Sequence, residues 1–208
     1  MYKILCYGDS NTWGCKPGTQ KRFPKESRWP GVLEQELEKD CSVIEEGLNG
    51  RTTVWEDPIE GYKSGKNYLV PCLETHKPLD LVIILLGTND LKARFSVTAY
   101  DVAEGAGALV DIISKSETGK NEASPEILLI APPPIAELSE YEDVFRGARE
   151  KSRNLSREFK RVATEHDCNL LDAAEYIHSS GKDGIHLEKN QQEKLGRTVA
   201  ERVKSLRG

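Results

Sequence analysis

The run of residues 79–86 (LDLVIILL) constrains the fold of this chain more than any other stretch of its sequence. Apart from Asp80, it offers apolar side chains to both faces of a strand, whereas a strand with one wet face alternates apolar and polar residues. A strand that is apolar on both faces is typical of the middle of a parallel sheet covered by helices on each side. The run therefore predicts an α/β protein with a central parallel strand at 79–86.

Shorter apolar runs and amphipathic stretches alternate along the rest of the 208 residues. The pattern predicts strands at 4–7, 42–45, 79–86, 127–131 and 169–171, and helices at 29–38, 68–75, 98–113, 142–165 and 188–206. Strands that alternate with helices indicate a parallel sheet of about five strands between two layers of helices. Because no repeat and no linker rich in Pro, Gly or Ser divides the chain, we expect a single domain over 1–208.

Charge and composition argue against several classes of protein. The net charge of -5 disfavours a nucleic-acid partner, which would require a basic surface. The residues before Gly8 lack the basic and long apolar segments of a signal peptide, and no run approaches a membrane span, so we expect no membrane partner. The five cysteines are odd in number and widely spaced, which favours reduced thiols in the cytoplasm and argues against a zinc site.

Polar and glycine-bearing segments follow the predicted strands. Ligands of parallel α/β sheets bind beyond the carboxyl ends of the strands, so these segments should gather at one edge. They are GDSNT at 8–12, GLNGRT at 47–52, GTND at 87–90 and GKDGIH at 181–186. We therefore expect Ser10, Gly50, Asn89, Asp183 and His186 to lie close together.

These residue types supply the parts of acyl transfer through a serine: a nucleophile, a base, a group that orients the base, and oxyanion donors. Ser10 is the candidate nucleophile, near the start of a helix and after Gly8, which we expect to adopt an unusual backbone angle. His186 is the candidate base, and Asp183 can orient it through a tight turn. The candidate oxyanion donors are the backbone N–H groups of Ser10 and Gly50 and the side-chain amide of Asn89.

Each of these residues also has a purely structural interpretation. Ser10 can belong to a turn that caps a helix, and Asp183 can cap the helix that His186 then covers. Asn89 and Gly50 can be ordinary turn residues. The combination of these residues favours catalysis, because they fall in segments that follow successive predicted strands. The remaining histidines lack this setting and are expected to be structural: His76, His166 and His178.

The four segments resemble the sequence blocks of the SGNH hydrolase superfamily, also called GDSL-type esterases. GDSNT has Asn11 where many members carry leucine, and EGLNGRTT at 46–53 places Gly50 at the family's oxyanion glycine. GTND at 87–90 matches the family's GxND, and DGIHL at 183–187 matches its DxxH. The runs 45–53 and 79–90, together with Gly14, are most similar to the arylesterase and acyltransferase branch.

The resemblance implies a flavodoxin-like three-layer α/β/α sandwich forming one SGNH hydrolase domain without a cofactor. It implies hydrolysis of short-chain acyl esters of aryl or simple alkyl alcohols through an acyl-serine, with acyl transfer to alcohols in some members. It assigns catalysis to Ser10, Asp183 and His186, and the oxyanion hole to Ser10, Gly50 and Asn89. Many members are oligomers, so we expect a homo-oligomer.

Residues beside the predicted catalytic groups are candidates for contact with the substrate. Asp9, Asn11 and Ile185 lie within the matched segments. The aromatic side chains that follow site segments can wall a small-ligand pocket, or they can pack in the core or at a subunit contact. They are Trp13, Trp55 and Phe95.

Two kinds of alternative function remain open. The same site can serve a carbohydrate O-acetylesterase, a lysophospholipase or a thioesterase, which a substrate panel would separate. The alternative outside enzymes is a flavodoxin-like module that binds a small molecule. Against it, neither a dinucleotide-binding glycine pattern nor a Walker loop follows the first strand.

Overall fold

The computed structural model describes residues 1–37 and 41–208. Within them, five parallel strands form one sheet in the order β2-β1-β3-β4-β5. The strands are β1 (Tyr2–Gly8), β2 (Cys41–Gly47), β3 (Leu81–Leu85), β4 (Glu126–Ala131) and β5 (Asn169–Asp172). The expected five-stranded parallel α/β fold is confirmed.

Helices cover both faces of this sheet. They are α1 (Ser10–Trp13), α2 (Trp29–Glu36), α3 (Gly65–His76), α4 (Ala99–Ser114), α5 (Ala148–Ser152), α6 (Leu155–Glu165) and α7 (Lys189–Arg207). One hydrophobic cluster joins the sheet to α3, α4 and α6, and a second joins the opposite face to α2 and α7. This is the three-layer sandwich that the alternation of strands and helices predicts.

Strand β3 lies at the centre of the sheet, and all five of its residues are buried. Val82 and Ile84 belong to the first cluster, while Leu81, Ile83 and Leu85 belong to the second. Successive side chains of a strand point to opposite faces, so a strand covered on both sides must be apolar throughout. The run at 79–86 therefore reports its central position directly.

Helix boundaries differ from the predicted ones at several positions; α3, for example, begins at Gly65 rather than at residue 68. Helix α2 ends at Glu36, and the predicted end at residue 38 lies outside the described residues. The single helix predicted at 142–165 is wrong, because residues 141–147 form turns and two shorter helices, α5 and α6, follow. Gly147 interrupts the helical path with a φ of 76°, in the left-handed region that favours glycine.

Among the described residues, no helix is both long enough and apolar enough to cross a membrane. The last helix illustrates why, since α7 has 19 residues but is amphipathic. Its apolar side chains, including Leu195 and Val199, are buried against the sheet, while its lysines and arginines, apart from the half-buried Arg202, are exposed.

Candidate active site

The turn after β1 carries Ser10 at the first position of α1. The Asp9 carboxylate caps this helix by accepting a hydrogen bond from the Asn11 backbone N–H at 2.9 Å. Gly8 does not adopt a positive φ, so the expected unusual angle is wrong. Glycine is required there by close packing, because a Cβ atom would lie 2.0 Å from Thr12 Oγ1. The tight fit brings the start of α1 directly over the carboxyl end of the strand.

A hydrogen-bonded chain links Ser10 to His186 and Asp183. His186 Nε2 lies 3.1 Å from Ser10 Oγ, and His186 Nδ1 lies 2.8 Å from Asp183 Oδ2. All three side chains are buried, with relative exposures of 5% for Ser10, 8% for His186 and 0% for Asp183. The serine hydroxyl can donate to one imidazole nitrogen while the carboxylate accepts from the other, which is the arrangement that activates a serine.

A tight turn lets the Asp183 carboxylate reach the His186 ring although the two residues are close together in the sequence. Asp183 Oδ1 accepts the backbone N–H groups of Ile185 and His186, each at 3.0 Å. Gly184 turns the chain with a φ of 80°, a conformation that glycine adopts without strain. Asp183 Oδ2 also accepts the N–H of Gly18 at 2.8 Å. The carboxylate therefore folds its own loop and orients the imidazole at the same time.

The side chain of Asn11 holds the His186 loop against α1. Its Nδ2 group donates to the carbonyl of Ile185 at 3.3 Å, and its Oδ1 atom accepts from the N–H of Leu187 at 3.1 Å. Gln192, on α7, donates to the Asn11 carbonyl at 2.9 Å. These contacts fix the turn that carries Ser10 and the loop that carries His186 relative to each other, as proton transfer between the two side chains would require.

Burial and hydrogen bonding shift the pKa values of the pair in opposite directions. Burial works to raise the pKa of Asp183, but hydrogen bonds from the His186 ring and from two backbone N–H groups outweigh it and hold that pKa well below its usual range. Burial works to lower the pKa of His186, but the Asp183 carboxylate and the neighbouring Cys15 sulfur outweigh it and raise that pKa above 6.5. The imidazolium form of His186 is therefore stabilised by the carboxylate beside it.

The ends of β2 and β3 bring Gly50 and Asn89 to the same place. Asn89 Nδ2 donates to the carbonyl of Arg51 at 3.1 Å and lies 3.4 Å from Asp9 Oδ2. Gly50 has a φ of 80°, so another residue would strain the loop. Ser10, Gly50 and Asn89 all line one cavity. The amide of Asn89 is held by a short contact on one side, and its long contact to Asp9 leaves it able to donate to a ligand.

Two buried carboxyl groups, those of Asp9 and Asp90, support these loops. Asp90 was not among the site residues predicted from the sequence. Asp90 Oδ1 accepts the Thr53 backbone N–H at 3.0 Å, so it connects the β3 end to the loop that carries Gly50. Burial raises the pKa of Asp90 and that of Asp9 to about 6. Asp9, predicted from the sequence as a substrate contact, caps α1 and lies 3.4 Å from Asn89 Nδ2.

The cavity beside Ser10 has a volume of about 200 Å³. Its apolar wall comes from Tyr141, Val144, Phe145 and Ile185, and its polar wall includes Asn49, Glu60, Lys92 and Arg94. The Tyr141 ring meets the His186 ring edge-on, with centroids 6.3 Å apart. One side of the cavity is therefore suited to an apolar group and the other to a hydroxylated or charged one.

Lys92 lies at the centre of a partly buried charge cluster in the polar wall. Its Nζ atom contacts Asp57 Oδ2 at 3.1 Å and also pairs with the Glu60 carboxylate. Arg94 Nη1 contacts the other Asp57 oxygen at 2.9 Å. The Asp57 carboxylate and Lys92 side chain are 0% and 4% exposed, and a buried charge needs such partners because an unpaired one would be costly. Two positive and two negative groups leave the cluster neutral.

Only Ile185 among the six predicted substrate contacts lines this cavity. Asn11 holds the loop that carries His186. The Arg22 guanidinium covers the Trp13 ring, 5.1 Å from the ring centroid. Trp55 and Phe95 are partly buried and pack against the hydrophobic core. The aromatic residues that line the cavity are Tyr141 and Phe145; Phe145 lies in the helix predicted at 142–165, and Tyr141 directly precedes it. The turns that carry them leave no distinct pattern in the sequence, so no signal there could have identified them.

The fold and site together define a class of protein: a three-layer α/β/α enzyme with a serine–histidine–aspartate chain at the carboxyl ends of its strands. A model of the GDSL-like lipase/acylhydrolase family matches residues 6–191. No curated protein matches the chain significantly. Solved structures resemble it closely over nearly its whole length.

The native aryl esterase of M. smegmatis is 41% identical, with a TM-score of 0.95, over 99% of this chain and 100% of that one. Est24, a carbohydrate acetylesterase from Sinorhizobium meliloti, is 39% identical with a TM-score of 0.96, over 99% and 100%. A putative arylesterase from Agrobacterium tumefaciens str. C58 is 37% identical with a TM-score of 0.93, over 99% of each chain. The chain belongs to the GDSL-like lipase/acylhydrolase family and is a serine carboxylic ester hydrolase.

Proposed function

We propose that the enzyme hydrolyses short-chain acyl esters of aryl or simple alkyl alcohols, with Ser10 as the nucleophile. The observation that carries this proposal is the hydrogen-bonded chain from Asp183 through His186 to Ser10. These three hydrogen-bonded side chains lie beside a cavity of only about 200 Å³, which suits a small acyl group. The similarity to the aryl esterase of M. smegmatis supports an aryl leaving group.

In the proposed mechanism, His186 accepts the proton of Ser10 as Oγ attacks the ester carbonyl carbon. The negative charge that forms on the carbonyl oxygen is stabilised by N–H groups of Ser10, Gly50 and Asn89. His186 then protonates the departing alcohol, which leaves an acyl group on Ser10. Water, deprotonated by the same imidazole, releases the acid and restores the serine, and an alcohol in place of water would give acyl transfer.

A second candidate function is deacetylation of a carbohydrate. The polar wall of Asn49, Glu60, Lys92 and Arg94 offers donors and acceptors that suit the hydroxyl groups of a sugar. Because its charge cluster is neutral overall, this wall gives no net attraction to an anionic alcohol. The similarity to the carbohydrate acetylesterase Est24 also supports this candidate.

Rates on p-nitrophenyl esters of increasing acyl length test the main proposal. We expect the highest kcat/KM for acetate or propionate and a steep decline by octanoate. Ser10→Ala should abolish turnover, whereas Ser114→Ala, at an exposed position of α4, should retain full activity. A preference for octanoate, or for lysolipids or acyl-CoA over the acetate, would overturn it, and faster turnover of acetylated sugars would favour the second candidate.

We further propose that the chain acts as one domain over 1–208, in the cytoplasm and as a homo-oligomer. The thiols of Cys6, Cys15, Cys72 and Cys168 form no disulfide, which supports a reducing compartment. Exposed Ile59 and Tyr62 side chains support a subunit contact. Light scattering should give a mass of at least twice the 23.2 kDa of one chain, and a monomer at micromolar concentration would contradict the assembly.

A further inference from the structure

A cluster of three side chains with metal-ligand chemistry lies outside the catalytic cavity. Glu46 is near the carboxyl end of β2, and Cys72 and His76 lie in the last turns of α3. The ligand atoms of all three lie within 4.8 Å of one another. His76 Nε2 is 3.0 Å from Glu46 Oε1. None of the three has a part in the proposed ester hydrolysis.

The spacing of this cluster follows from the two elements that carry it. Cys72 and His76 are four residues apart on one helix, so their side chains lie on the same face, one turn apart. The number and spacing of the cysteines alone argued against a zinc site, but this Cys–His pair has a spacing that can serve a metal ion. Glu46 projects from the sheet beneath that face and supplies a third ligand from a different element.

We propose that Glu46, Cys72 and His76 bind one Zn²⁺ ion, with water as the fourth ligand. Thiolate, imidazole and carboxylate are the usual protein ligands of zinc. Zinc bonds of about 2.0–2.3 Å place tetrahedral ligands roughly 3.3–3.8 Å apart, so closure by about 1 Å completes the site. The thiol proton of Cys72 passes to solvent on binding, and the thiolate and carboxylate together balance the charge of the ion.

The surroundings give the ion a route from solvent. Glu46 and His76 have side chains that are 21% and 26% exposed, while Cys72 is buried beneath them. A cavity of about 480 Å³ reaches Glu46 from the side of Tyr62 and Tyr68. A partly open site of this kind leaves room for the water ligand.

The positively charged side chain of Arg51, which lies near this cluster, is held by groups outside it. The Arg51 guanidinium donates to the carbonyls of Gly8 and Glu46 and lies 4.2 Å from the Tyr7 ring centroid. The Glu46 side-chain carboxylate is left to pair with His76. An ion at this site would tie α3 to β2 just before the loop that carries Gly50, and it should therefore stabilise the folded enzyme.

Titration of the chelator-treated enzyme with Co²⁺ alone tests this proposal. We expect a thiolate-to-cobalt charge-transfer absorption that saturates at one equivalent and is displaced by Zn²⁺, together with a higher Tm in Zn²⁺ than in chelator. Cys72→Ser should abolish the absorption. His76→Asn, at a partly exposed position that does not threaten folding, should weaken binding at least tenfold.

Matched variants elsewhere complete the experiment. Cys168→Ser and His166→Asn change the same residue types at a different place and should leave binding unchanged. The proposal is overturned if one equivalent of Co²⁺ gives no thiolate absorption, if Cys72→Ser retains it, or if His76→Asn binds as tightly as the native enzyme. None of these results depends on whether the enzyme hydrolyses esters.

Discussion

Two histidine–aspartate pairs in this molecule have almost the same geometry and very different surroundings. His186 and Asp183 are 2.8 Å apart, and His166 and Asp111 are 2.9 Å apart. The first pair has side-chain exposures of 10% and 1%, the second 25% and 45%. The first imidazole meets the hydroxyl of Ser10 through its other nitrogen. The length of a histidine–carboxylate contact therefore does not by itself indicate a catalytic role.

The carboxylates of the two pairs also differ in what else they bind. Asp183 accepts three backbone N–H groups besides the imidazole, so its position is fixed by its own loop. Asp111 shares its charge with Lys115, one helical turn away, in a solvent-exposed arrangement that contributes little to stability. A rigid, buried acceptor can orient an imidazole, whereas a mobile surface ion pair cannot.

Removal of each imidazole should give the largest contrast between the pairs. We expect His186→Ala to lower kcat for p-nitrophenyl acetate by about 10⁶-fold, as loss of the base does in serine proteases. His166→Ala should change kcat less than about twofold. Comparable losses in the two variants would show that burial and the serine contact do not distinguish the pairs.

Replacement of the carboxylates should give the next largest contrast. Asp183→Asn removes the acceptor that orients the imidazole, and we expect kcat to fall by about 10⁴-fold. Asp111→Asn should leave kcat within about twofold of the native value. Steady-state rates on one ester measure both, and a small effect at Asp183 would mean that the turn around it orients His186 unaided.

The oxyanion side of the site should show a smaller effect. We expect Asn89→Ala to lower kcat by about 10²–10³-fold with little change in KM, because the amide stabilises charge that develops only in the transition state. Asn154→Ala, at an exposed position before α6, is the control and should be neutral. An increase in KM without loss of kcat would instead assign Asn89 to ground-state binding.

The pH dependence should show the smallest change. Only neutral His186 can accept the serine proton, so kcat should rise with pH as the imidazolium loses its proton. Because the carboxylate of Asp183 raises the pKa of His186 above 6.5, the midpoint of this rise should lie above pH 6.5. In Asp183→Asn the midpoint should move to lower pH. An unmoved midpoint would assign the rise of kcat with pH to a group other than His186.

The sequence was enough to predict the sheet and the residues at its edge. The buried run at 79–86 and the segments after β1, β2, β3 and β5 indicate a parallel sheet, and in such a sheet the strand ends must meet. That is why Ser10, Asn89 and His186, which are far apart in the chain, could be placed together from the sequence alone.

The walls of the cavity could not be predicted in the same way. Beyond a strand end, the direction of a side chain depends on the path of the loop, so Trp55 and Phe95 pack inward although they follow site segments. Tyr141 and Phe145 lie four residues apart, as they would on a helix, and their turns over the cavity leave no distinct pattern. Lys92 resembles a solvated lysine until its carboxylate partners are known.

The most direct test of the central claim is the identity of the residue that becomes acylated. The enzyme should be quenched in acid during turnover of p-nitrophenyl acetate, or treated with a fluorophosphonate probe, and then digested for peptide mass spectrometry. We expect one adduct per chain, on Ser10, and none in His186→Ala within the same time. An adduct on another residue, or full turnover by Ser10→Ala, would contradict it.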